Sequence, residues 1–465
     1  MIPDATYPLS DGVKIVAPDS PHLITPYVLR EQQDWFEDEI KFLRRVIEPG
    51  WQAIDIGANH GVYTLVIANL AGPAGHVWAF EPASSTARLL AAGVTVNGFS
   101  NVTLEQSAVS DFSGTAELSL SDNSELNKLA DGAAPDGAVE TVSVVTLDQS
   151  RLQHGWRGID FIKLDAEGQE MNVLRGGRDF LASESPLIQY EIKDGHGWHL
   201  DLAKEFLALG YHSYRLVPGL DALVPVVSGE QPDSYLLNLF CCKPDRAAQL
   251  AARGLLVDSA EIAMDPAAAT GADWRSMLTR HPYGAILSAK WDRFPIVGRC
   301  ADVIASLALY VLAQDSSLPM AVRLAALKTA FENFQRYAAE PTAFLRASSL
   351  ARIAREYGAR DVAITSLRQL CAAIFERRQV DPAEPFLAPG RRSEAWPIPD
   401  PKRSGDWLAT AALEELELNE FYSSYYSGKS RIGRLEIICN SGFADDEMKR
   451  RRDLVYQRFG IQPAT

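Results

Sequence analysis

The sequence predicts an α/β fold with a mostly parallel sheet, followed by a second region built only from helices. From about residue 34 to residue 243, short apolar runs alternate with segments of helical period. After residue 245, every long apolar pattern has the helical period. The chain has 465 residues, too many for one typical domain, and 47% of them are hydrophobic, enough for two cores. We therefore expect two domains, residues 1–245 and 246–465.

The strands of the first region are apolar runs bounded by turn residues, and its helices have apolar residues three or four apart. In chain order, the first half of this region gives helix 34–48, strand 52–57, helix 61–70, strand 76–81, helix 84–97 and strand 102–106. Segments 114–120 and 141–147 follow, separated by a polar stretch. They predict an antiparallel hairpin with a flexible connection.

The alternation then resumes, with strand 159–165, helix 168–181, strand 186–192, helix 200–209 and strands 211–217 and 235–243. The last two strands are too close in the chain for a helix between them, so we expect them to form a hairpin. This makes the last strand antiparallel in an otherwise parallel sheet.

The second region predicts helices 246–256, 300–313, 319–338, 341–357, 360–379, 405–427 and 445–459, and one strand at 435–439. Residues 345–367 are similar to one degenerate tetratricopeptide repeat. Because one unit is not an array, a plain helical bundle and a helical-repeat recognition surface both stay open. The proline-rich segment 381–401 contains Phe386, Leu387 and Trp396, and we expect it to pack as an ordered loop.

The net charge of −15 is unevenly distributed. Residues 1–284 carry 38 acidic and 20 basic side chains, whereas residues 285–465 carry 22 and 25. The acidic part would repel a phosphate backbone, so we expect no nucleic acid partner.

Five cysteines without Cys-x-x-Cys spacing, two of them adjacent in an apolar strand, indicate reduced thiols and a cytoplasmic protein. The first residues lack a basic start followed by an apolar stretch, so we expect no export signal. No later segment reaches about 18 uninterrupted apolar residues, so we expect no transmembrane segment.

The most informative segment is the turn from Asp55 to Gly61, which joins a strand to a helix. Gly57 and Gly61 allow a sharp turn and close approach to a ligand, and the helix that follows directs its free N–H groups at it. Glu81 ends the next strand, where a carboxylate can bind both hydroxyls of a ribose. This arrangement predicts an adenosine-containing ligand. The turn lacks Gly-x-Gly-x-x-Gly and Gly-Lys-Ser/Thr, which disfavours nicotinamide and ATP enzymes.

Several motifs together resemble the FkbM family of S-adenosylmethionine-dependent methyltransferases over roughly residues 30–243. They are Asp55-Ile-Gly-Ala-Asn-His-Gly61, Phe80-Glu-Pro82, Val145-Thr-Leu-Asp148, Ile159-Asp-Phe-Ile-Lys-Leu-Asp165-Ala-Glu167-Gly168-Gln-Glu170 and Leu174-Arg-Gly-Gly177. The resemblance implies the Rossmann-like fold of class I methyltransferases and S-adenosylmethionine as cofactor. His60 departs from the apolar residue expected before Gly61.

We expect the cofactor to contact residues of the turn and of the three strand ends around it. They are Asp55, Gly57, Ala58, Asn59, His60, Gly61, Glu81, Ser107, Ala108 and Asp165. Ser107 and Ala108 follow the third strand, where the adenine is expected.

Asp165 is the best candidate near the transferred methyl group, because it ends the fourth strand and opens onto the same sheet edge as Gly57. Glu167 follows in the loop and is either catalytic or a cap of the next helix, whereas Glu170 is a helix-surface charge or a first-turn acid. Glu191 ends the fifth strand and could face Asp165. The pair suits either a general base of raised pKa or a divalent metal.

His196 and His199 lie in a glycine-rich loop after the fifth strand, and each could act as a base toward a hydroxyl. Trp198, between them, could stack on a sugar ring or be part of the core.

The resemblance implies an O-methyltransferase for a hydroxyl of a sugar, glycan or polyketide-like metabolite, and the added helical domain fits a glycan best. The alternative is a scaffold of a glycan-assembly system, in which the helical domain recruits a protein partner and the methyltransferase domain is ancillary or inactive. Self-association through the helices also stays open.

Overall fold

The computed structural model describes residues 2–129, 138–194, 197–227, 229, 231–258, 264, 271–295, 297–338, 344–377 and 382–462. The chain divides into two compact units. The first comprises Met1–Leu216, Leu223–Ser228 and Leu236–Asp258, and the second comprises Val217–Ala222, Gly229–Tyr235 and Ser259–Thr465. The first unit thus continues beyond residue 245, and two short segments before that residue are grouped with the helices.

The strands are numbered in chain order. They are β1 (Asp4–Pro8), β2 (Lys14–Pro18), β3 (Gln52–Ile56), β4 (His76–Phe80), β5 (Val102–Glu105), β6 (Ser107–Val109), β7 (Gly114–Leu120), β8 (Lys128–Leu129), β9 (Ala138–Val145), β10 (Phe161–Leu164), β11 (Leu187–Glu191), β12 (Lys193–Asp194), β13 (Gly197–Trp198), β14 (His212–Val217), β15 (Ala222–Pro225) and β16 (Asn238–Cys242).

The helices of the first unit are α1 (Ile24–Gln32), α2 (Asp38–Val46), α3 (Val62–Ala71), α4 (Ser84–Asn97), α5 (Leu147–His154), α6 (Glu170–Gly176), α7 (Arg178–Ser183), α8 (Asp201–Ala208) and α9 (Pro244–Ala252). A 3-10 turn spans Ser124–Leu126.

The main sheet has eight strands in the order β15-β14-β16-β11-β10-β3-β4-β5. The five strands from β11 to β5 are parallel, and β16 is antiparallel to both β11 and β14. The predicted sheet, mostly parallel with an antiparallel last strand, is therefore confirmed. The predicted pairing of the last two strands also holds, although β15 lies between them in the chain.

A smaller sheet has the order β6-β9-β7-β8. Its strands β7 and β9 are antiparallel over seven residue pairs, as the sequence predicts. Ser107 and Ala108 belong to β6 of this sheet, which pairs in parallel with β9. Of the connection predicted to be flexible, residues 121–129 are ordered in turns and β8, whereas 130–137 lie outside the described residues.

Two apolar layers cover the main sheet and hold its strand ends in place. One layer contains Phe42, Leu65, Ile67 and Phe240, and the other contains Trp156, Phe180, Tyr190 and Phe206. Because α3 buries nearly all of its length, the turn that precedes it is fixed against the sheet.

The predicted helix 168–181 is wrong in one respect, since it is two helices, α6 and α7. The break falls at Gly176 and Gly177, where added Cβ atoms would overlap the carbonyl oxygen of Ser110 and the side chain of Leu147. Close packing there requires glycine, which weakens a continuous helix.

The second unit is helical. Its helices are α10 (Trp274–Thr279), α11 (Pro282–Trp291), α12 (Arg299–Gln314), α13 (Met320–Tyr337), α14 (Phe344–Tyr357), α15 (Arg360–Arg377), α16 (Arg391–Glu394), α17 (Ser404–Glu420), α18 (Ser424–Ser427), α19 (Ile432–Asn440) and α20 (Asp446–Phe459). The predicted helix 405–427 is thus divided into α17 and α18. In the described part of the chain, no helix is both long enough and apolar enough to cross a membrane.

The strand predicted at 435–439 is wrong, because these residues lie in α19. Leu435 and Ile438 are buried three residues apart, whereas Ile437 is 52% exposed, as on one face of a helix. A short apolar run does not distinguish strand from helix by its period. The proline-rich segment packs as expected over its described residues 382–401, with Phe386 and Leu387 buried and the Tyr283 hydroxyl donating to the Phe386 carbonyl oxygen at 3.2 Å. It is not a loop throughout, because Arg391–Glu394 form α16.

Candidate active site at the carboxyl ends of the parallel strands

Four parallel strands end at the same level. Their register places Phe80, Ile56, Leu164 and Tyr190 side by side across β4, β3, β10 and β11. The residues that follow are Glu81, Gly57, Asp165 and Glu191. They therefore form a row along one edge of the sheet, where open α/β sheets bind their ligands.

The turn after β3 is shaped by glycine. Gly57 has φ 78°, and its N–H and that of Ala58 donate to the Phe80 carbonyl oxygen at 3.1 and 3.0 Å. A Cβ at Gly57 would overlap the carbonyl oxygen of Asp165, and one at Gly61 (φ 83°) would overlap the Leu90 side chain. The backbone of β3 can approach that of β10 this closely only with glycine at position 57.

Glu81 is buried against the turn, with 6% of the residue exposed. Its Oε2 accepts a hydrogen bond from the Asn59 N–H, and its Oε1 accepts one from the Ala83 N–H, both at 2.9 Å. Burial outweighs these two bonds and raises the pKa of Glu81 to about 7. The carboxyl group is thus held in one orientation and titrates near neutral pH.

Among the residues expected to contact the cofactor, two buried polar atoms, Asp55 Oδ1 and Ser107 Oγ, have no hydrogen-bond partner within the described residues. Asp55 is fully buried, and its Oδ2 accepts from the Thr64 hydroxyl at 2.5 Å. Buried polar atoms are rarely left unpaired unless something else pairs with them. These atoms and the close approach at Gly57 fit a polar cofactor. Ala108, expected beside Ser107 at the adenine, is buried as well.

Asp165 is partly exposed and is paired with a cation that sequence reasoning missed. Lys163 Nζ donates to Asp165 Oδ2 at 2.7 Å and lies 4.7 Å from the centre of the Tyr63 ring. Burial alone would lower the pKa of Lys163, but the carboxylates of Asp165, Asp55 and Glu37 outweigh it and raise that pKa. The available signal was a lysine inside the otherwise apolar strand 161–164.

The Tyr63 hydroxyl beside Lys163 is held by two polar side chains, and a third side chain contacts one of them. The Tyr63 hydroxyl donates to Glu37 Oε2 and accepts from Gln189 Nε2 at 3.1 Å. Asn238 Nδ2 lies 3.5 Å from the same Glu37 oxygen. These residues and Tyr63 itself stand outside every motif used above, so the motifs offered no signal for them.

The two acids after Asp165 have different environments. Glu170 is buried and accepts from the N–H groups of Ala166 at 2.8 Å and Gly168 at 3.3 Å, so it is a first-turn acid and not a surface charge. Glu167 is exposed in left-handed backbone, with φ 49°. Desolvation by the surrounding chain and the charges of Asp165 and Glu170 raise the pKa of Glu167, although solvent at this exposed residue weakens both effects.

Glu191 follows Tyr190 at the end of β11, one strand away from Asp165. Burial, with the charges of Asp165 and Glu167, raises the pKa of Glu191 to about 11. Over the described ranges, no group of three or more His, Cys, Asp or Glu side chains is arranged to hold a metal ion. Metal binding by Asp165 and Glu191 therefore stays a sequence-based prediction.

The predicted histidines are in three different situations. His60 is buried in the turn, and burial lowers its pKa to about 4, so it is neutral at physiological pH. His199 is partly buried, and its backbone N–H donates to the Ile192 carbonyl oxygen at 2.8 Å. His196 and the side chain of Trp198 lie outside the described residues.

Comparison with known proteins identifies a family for part of the chain. Residues 55–213 match the family model of the methyltransferase FkbM domain. The AMB antimetabolite synthetase AmbE of Pseudomonas aeruginosa is 26% identical over an alignment of 310 residues that covers 58% of this chain and 14% of AmbE. The chain thus spans about one seventh of the length of this curated relative.

Solved methyltransferase structures are similar at low identity. Methyltransferase FkbM from Methylobacillus flagellatus is 16% identical, over 43% of this chain and 50% of that one, with a TM-score of 0.29. A SAM-dependent methyltransferase from Aquifex aeolicus is 12% identical, over 47% and 93% of the two chains, with a TM-score of 0.27. A Streptococcus mutans protein in complex with S-adenosylhomocysteine is 14% identical, over 44% and 95%, with a TM-score of 0.27.

The family match includes the glycine turn, Glu81, Asp165 and Glu191. Residues 55–213 of this chain are a methyltransferase domain of the FkbM family.

Proposed function

We propose that the protein is an S-adenosylmethionine-dependent O-methyltransferase that acts on a hydroxyl of a sugar, glycan or polyketide-like metabolite. The observation that carries the proposal is the row of Glu81, Gly57, Asp165 and Glu191 at one sheet edge. It combines a nucleoside-binding acid and a glycine turn with acids suited to proton transfer.

The donor site consists of the turn and the strand ends on either side of it. Glu81 would accept hydrogen bonds from the ribose hydroxyls, and the backbone at Gly57 would lie against the amino-acid end of the cofactor. Asp55 Oδ1 and Ser107 Oγ, the unpaired buried atoms, would bind polar groups of the same ligand. S-adenosylmethionine, when bound, supplies a methyl group carried on a sulfonium.

The acceptor side consists of Asp165, Glu167 and Glu191. A hydroxyl acceptor has to lose its proton, and a base works best when its pKa lies near the working pH. The pKa of Glu167 is raised toward that range, and Lys163 holds the nearby Asp165 carboxylate at 2.7 Å. We propose that Asp165 orients the hydroxyl and that Asp165 or Glu167 takes its proton. With a pKa of about 11, Glu191 is protonated at neutral pH and can donate a hydrogen bond to the acceptor.

The class of acceptor is inferred from the curated relative and from the added helices. The similarity to a segment of an antimetabolite synthetase supports a metabolite. We propose that the helical second unit contributes acceptor or partner recognition. The cytoplasmic location stays a prediction from the cysteines.

The test is methyl transfer from S-adenosylmethionine to a library of sugars, glycans and polyketide alcohols, followed by mass spectrometry. We expect O-methylated product from the wild-type protein. Asp165→Asn should lower turnover by about 10²–10⁴, the range for general-base catalysis, and change S-adenosylhomocysteine affinity much less. Asp201→Asn, an exposed carboxylate paired with Lys204, is the matched control and should leave both unchanged.

Equal losses of donor affinity and turnover in Asp165→Asn would make Asp165 a donor ligand only. Methylation of the nitrogen of amino sugars, with no O-methylated product from any member of the library, would reject O-specificity.

A further inference from the structure

A short segment after β7 joins the donor turn to the N-terminal helix α1. We call residues Asn123, Ser124 and Glu125 the strap; they follow β7 and open the 3-10 turn Ser124–Leu126. The sequence indicated only a flexible connection there. The side chains of the strap bind two segments of the first unit that are about 65 and 100 residues away in the chain.

On one side, the strap contacts the donor turn. The Ser124 hydroxyl donates to Asn59 Oδ1 at 2.8 Å and lies 3.4 Å from Nδ1 of the buried His60. Asn59 is in left-handed backbone with φ 48°, and its N–H donates to Glu81 Oε2 at 2.9 Å. Ser124 is therefore one residue removed from the carboxylate proposed to bind the ribose.

On the other side, the strap binds the first turn of α1. Asn123 Oδ1 accepts from the Ile24 N–H at 2.9 Å, and Glu125 Oε1 accepts from the Thr25 N–H at 3.1 Å and from the Thr25 hydroxyl. The N-cap residue Leu23 provides no side-chain acceptor for these groups. The strap thus caps the N-terminus of α1 from a distant part of the chain.

These two sets of contacts leave each strap side chain little freedom. Asn123 and Glu125 anchor the strap on α1, so the hydroxyl of Ser124 between them is presented to Asn59. Asn59 tolerates left-handed backbone, but that conformation still costs energy that surrounding contacts must offset. The bond from Ser124 restrains the Asn59 side chain, and the Asn59 N–H restrains Glu81.

We propose that Ser124 is a positioning residue of the donor site, which acts through Asn59 to hold Glu81 in its ribose-binding orientation and makes α1 part of that site. This inference rests on the proposed donor site. It needs no assumption about the acceptor, because its test is cofactor binding alone.

The experiment is calorimetric binding of S-adenosylhomocysteine to the full chain. Ser124→Ala should weaken binding about three- to tenfold, the effect of one net hydrogen bond. Ser124→Thr keeps the hydroxyl and should restore most of the affinity. Ser113→Ala is the matched control, because the exposed Ser113 hydroxyl bonds Gln149 and does not contact the turn.

A double-mutant cycle separates positioning from a general loss of structure. If Ser124 acts through Glu81, Ser124→Ala should cost less than about twofold further in the Glu81→Ala background, since there is no carboxylate left to position. Thr25→Val, which leaves Ser124 in place, tests the link from the α1 side. It should weaken binding in the same direction by a smaller factor.

Unchanged affinity in Ser124→Ala, or the same loss with and without Glu81, would overturn this inference while leaving the proposed function intact. Failure of the wild-type protein to bind S-adenosylhomocysteine would overturn the inference together with the proposed cofactor.

Discussion

The burial of Glu81 makes the affinity for the cofactor depend on pH. The pKa of Glu81 is about 7 without ligand because burial disfavours the carboxylate more than two N–H donors stabilise it. Ribose hydroxyls bind the carboxylate better than the protonated acid, so the ligand favours the charged form. Affinity for S-adenosylhomocysteine should therefore rise with pH, by about tenfold between pH 6 and pH 8 for a group of this pKa.

Calorimetry at several pH values checks this prediction. Glu81→Gln should abolish the pH dependence, and Glu81→Ala should weaken binding by about 1.5–3 kcal/mol, the range for a hydrogen bond to a charged group. The nearby His60 does not titrate in this window, since its pKa is about 4. Equal wild-type affinity at pH 6 and pH 8 would remove Glu81 from the ribose site.

At the scale of elements, the site depends on how closely the ends of β3 and β10 approach each other. A Cβ at Gly57 would overlap the Asp165 carbonyl oxygen, and φ at Gly57 is 78°. We expect Gly57→Ala to lower the free energy of unfolding by about 3 kcal/mol or more, because strain and overlap add. It should also abolish S-adenosylhomocysteine binding, since relief of the overlap separates Gly57 from Asp165.

Gly98→Ala is the matched control. Gly98 ends α4 with φ 69°, and an added Cβ would meet nothing within 4 Å. It should cost only the left-handed conformation, about 1–2 kcal/mol, and leave binding unchanged. Urea unfolding and calorimetry measure the two effects. If the two variants behave alike, close approach at Gly57 is not what holds the site together.

At the scale of the whole molecule, the first compact unit includes Leu236–Asp258. Leu250 of α9 and the following Leu255 and Leu256 are buried in the core of the first unit. Ending the chain near Lys243 would remove these residues, and each buried leucine contributes about 1.5–3 kcal/mol. We expect residues 1–258 to remain folded and bind S-adenosylhomocysteine, and residues 1–243 to be much less stable.

Activity of the 1–258 protein then reports on the helices. If the second unit recognises the acceptor or a partner, residues 1–258 should bind the cofactor but lose methyl transfer to the native acceptor. Full activity on that acceptor would assign the helices a role outside the reaction. Loss of both folding and binding would show that they stabilise the first unit. Segment 217–222 should loosen in any case, because the Gly219 N–H donates to the Glu356 carbonyl oxygen at 2.8 Å.

The sequence by itself determined the main sheet and the position of the donor turn. Apolar runs and helical periods are local signals, and Gly57 and Gly61 mark a backbone that other residues cannot adopt without strain. Local signals also explain the errors. The apolar run at 435–439 fits a strand or a helix equally well, and only packing of Leu435 and Ile438 selected α19.

The tertiary structure alone decided which side chains support the site. Lys163 lies near Glu37 and Asp55, and Ser124 meets Asn59 from 65 residues away. No local pattern encodes such contacts, because they form when separate elements pack together. The same holds for Glu81 and Glu191. Their positions follow from the strand ends, but burial in the folded chain raises their pKa values. The motifs therefore locate the residues at this sheet edge, but the environment that the folded chain gives them sets their chemistry.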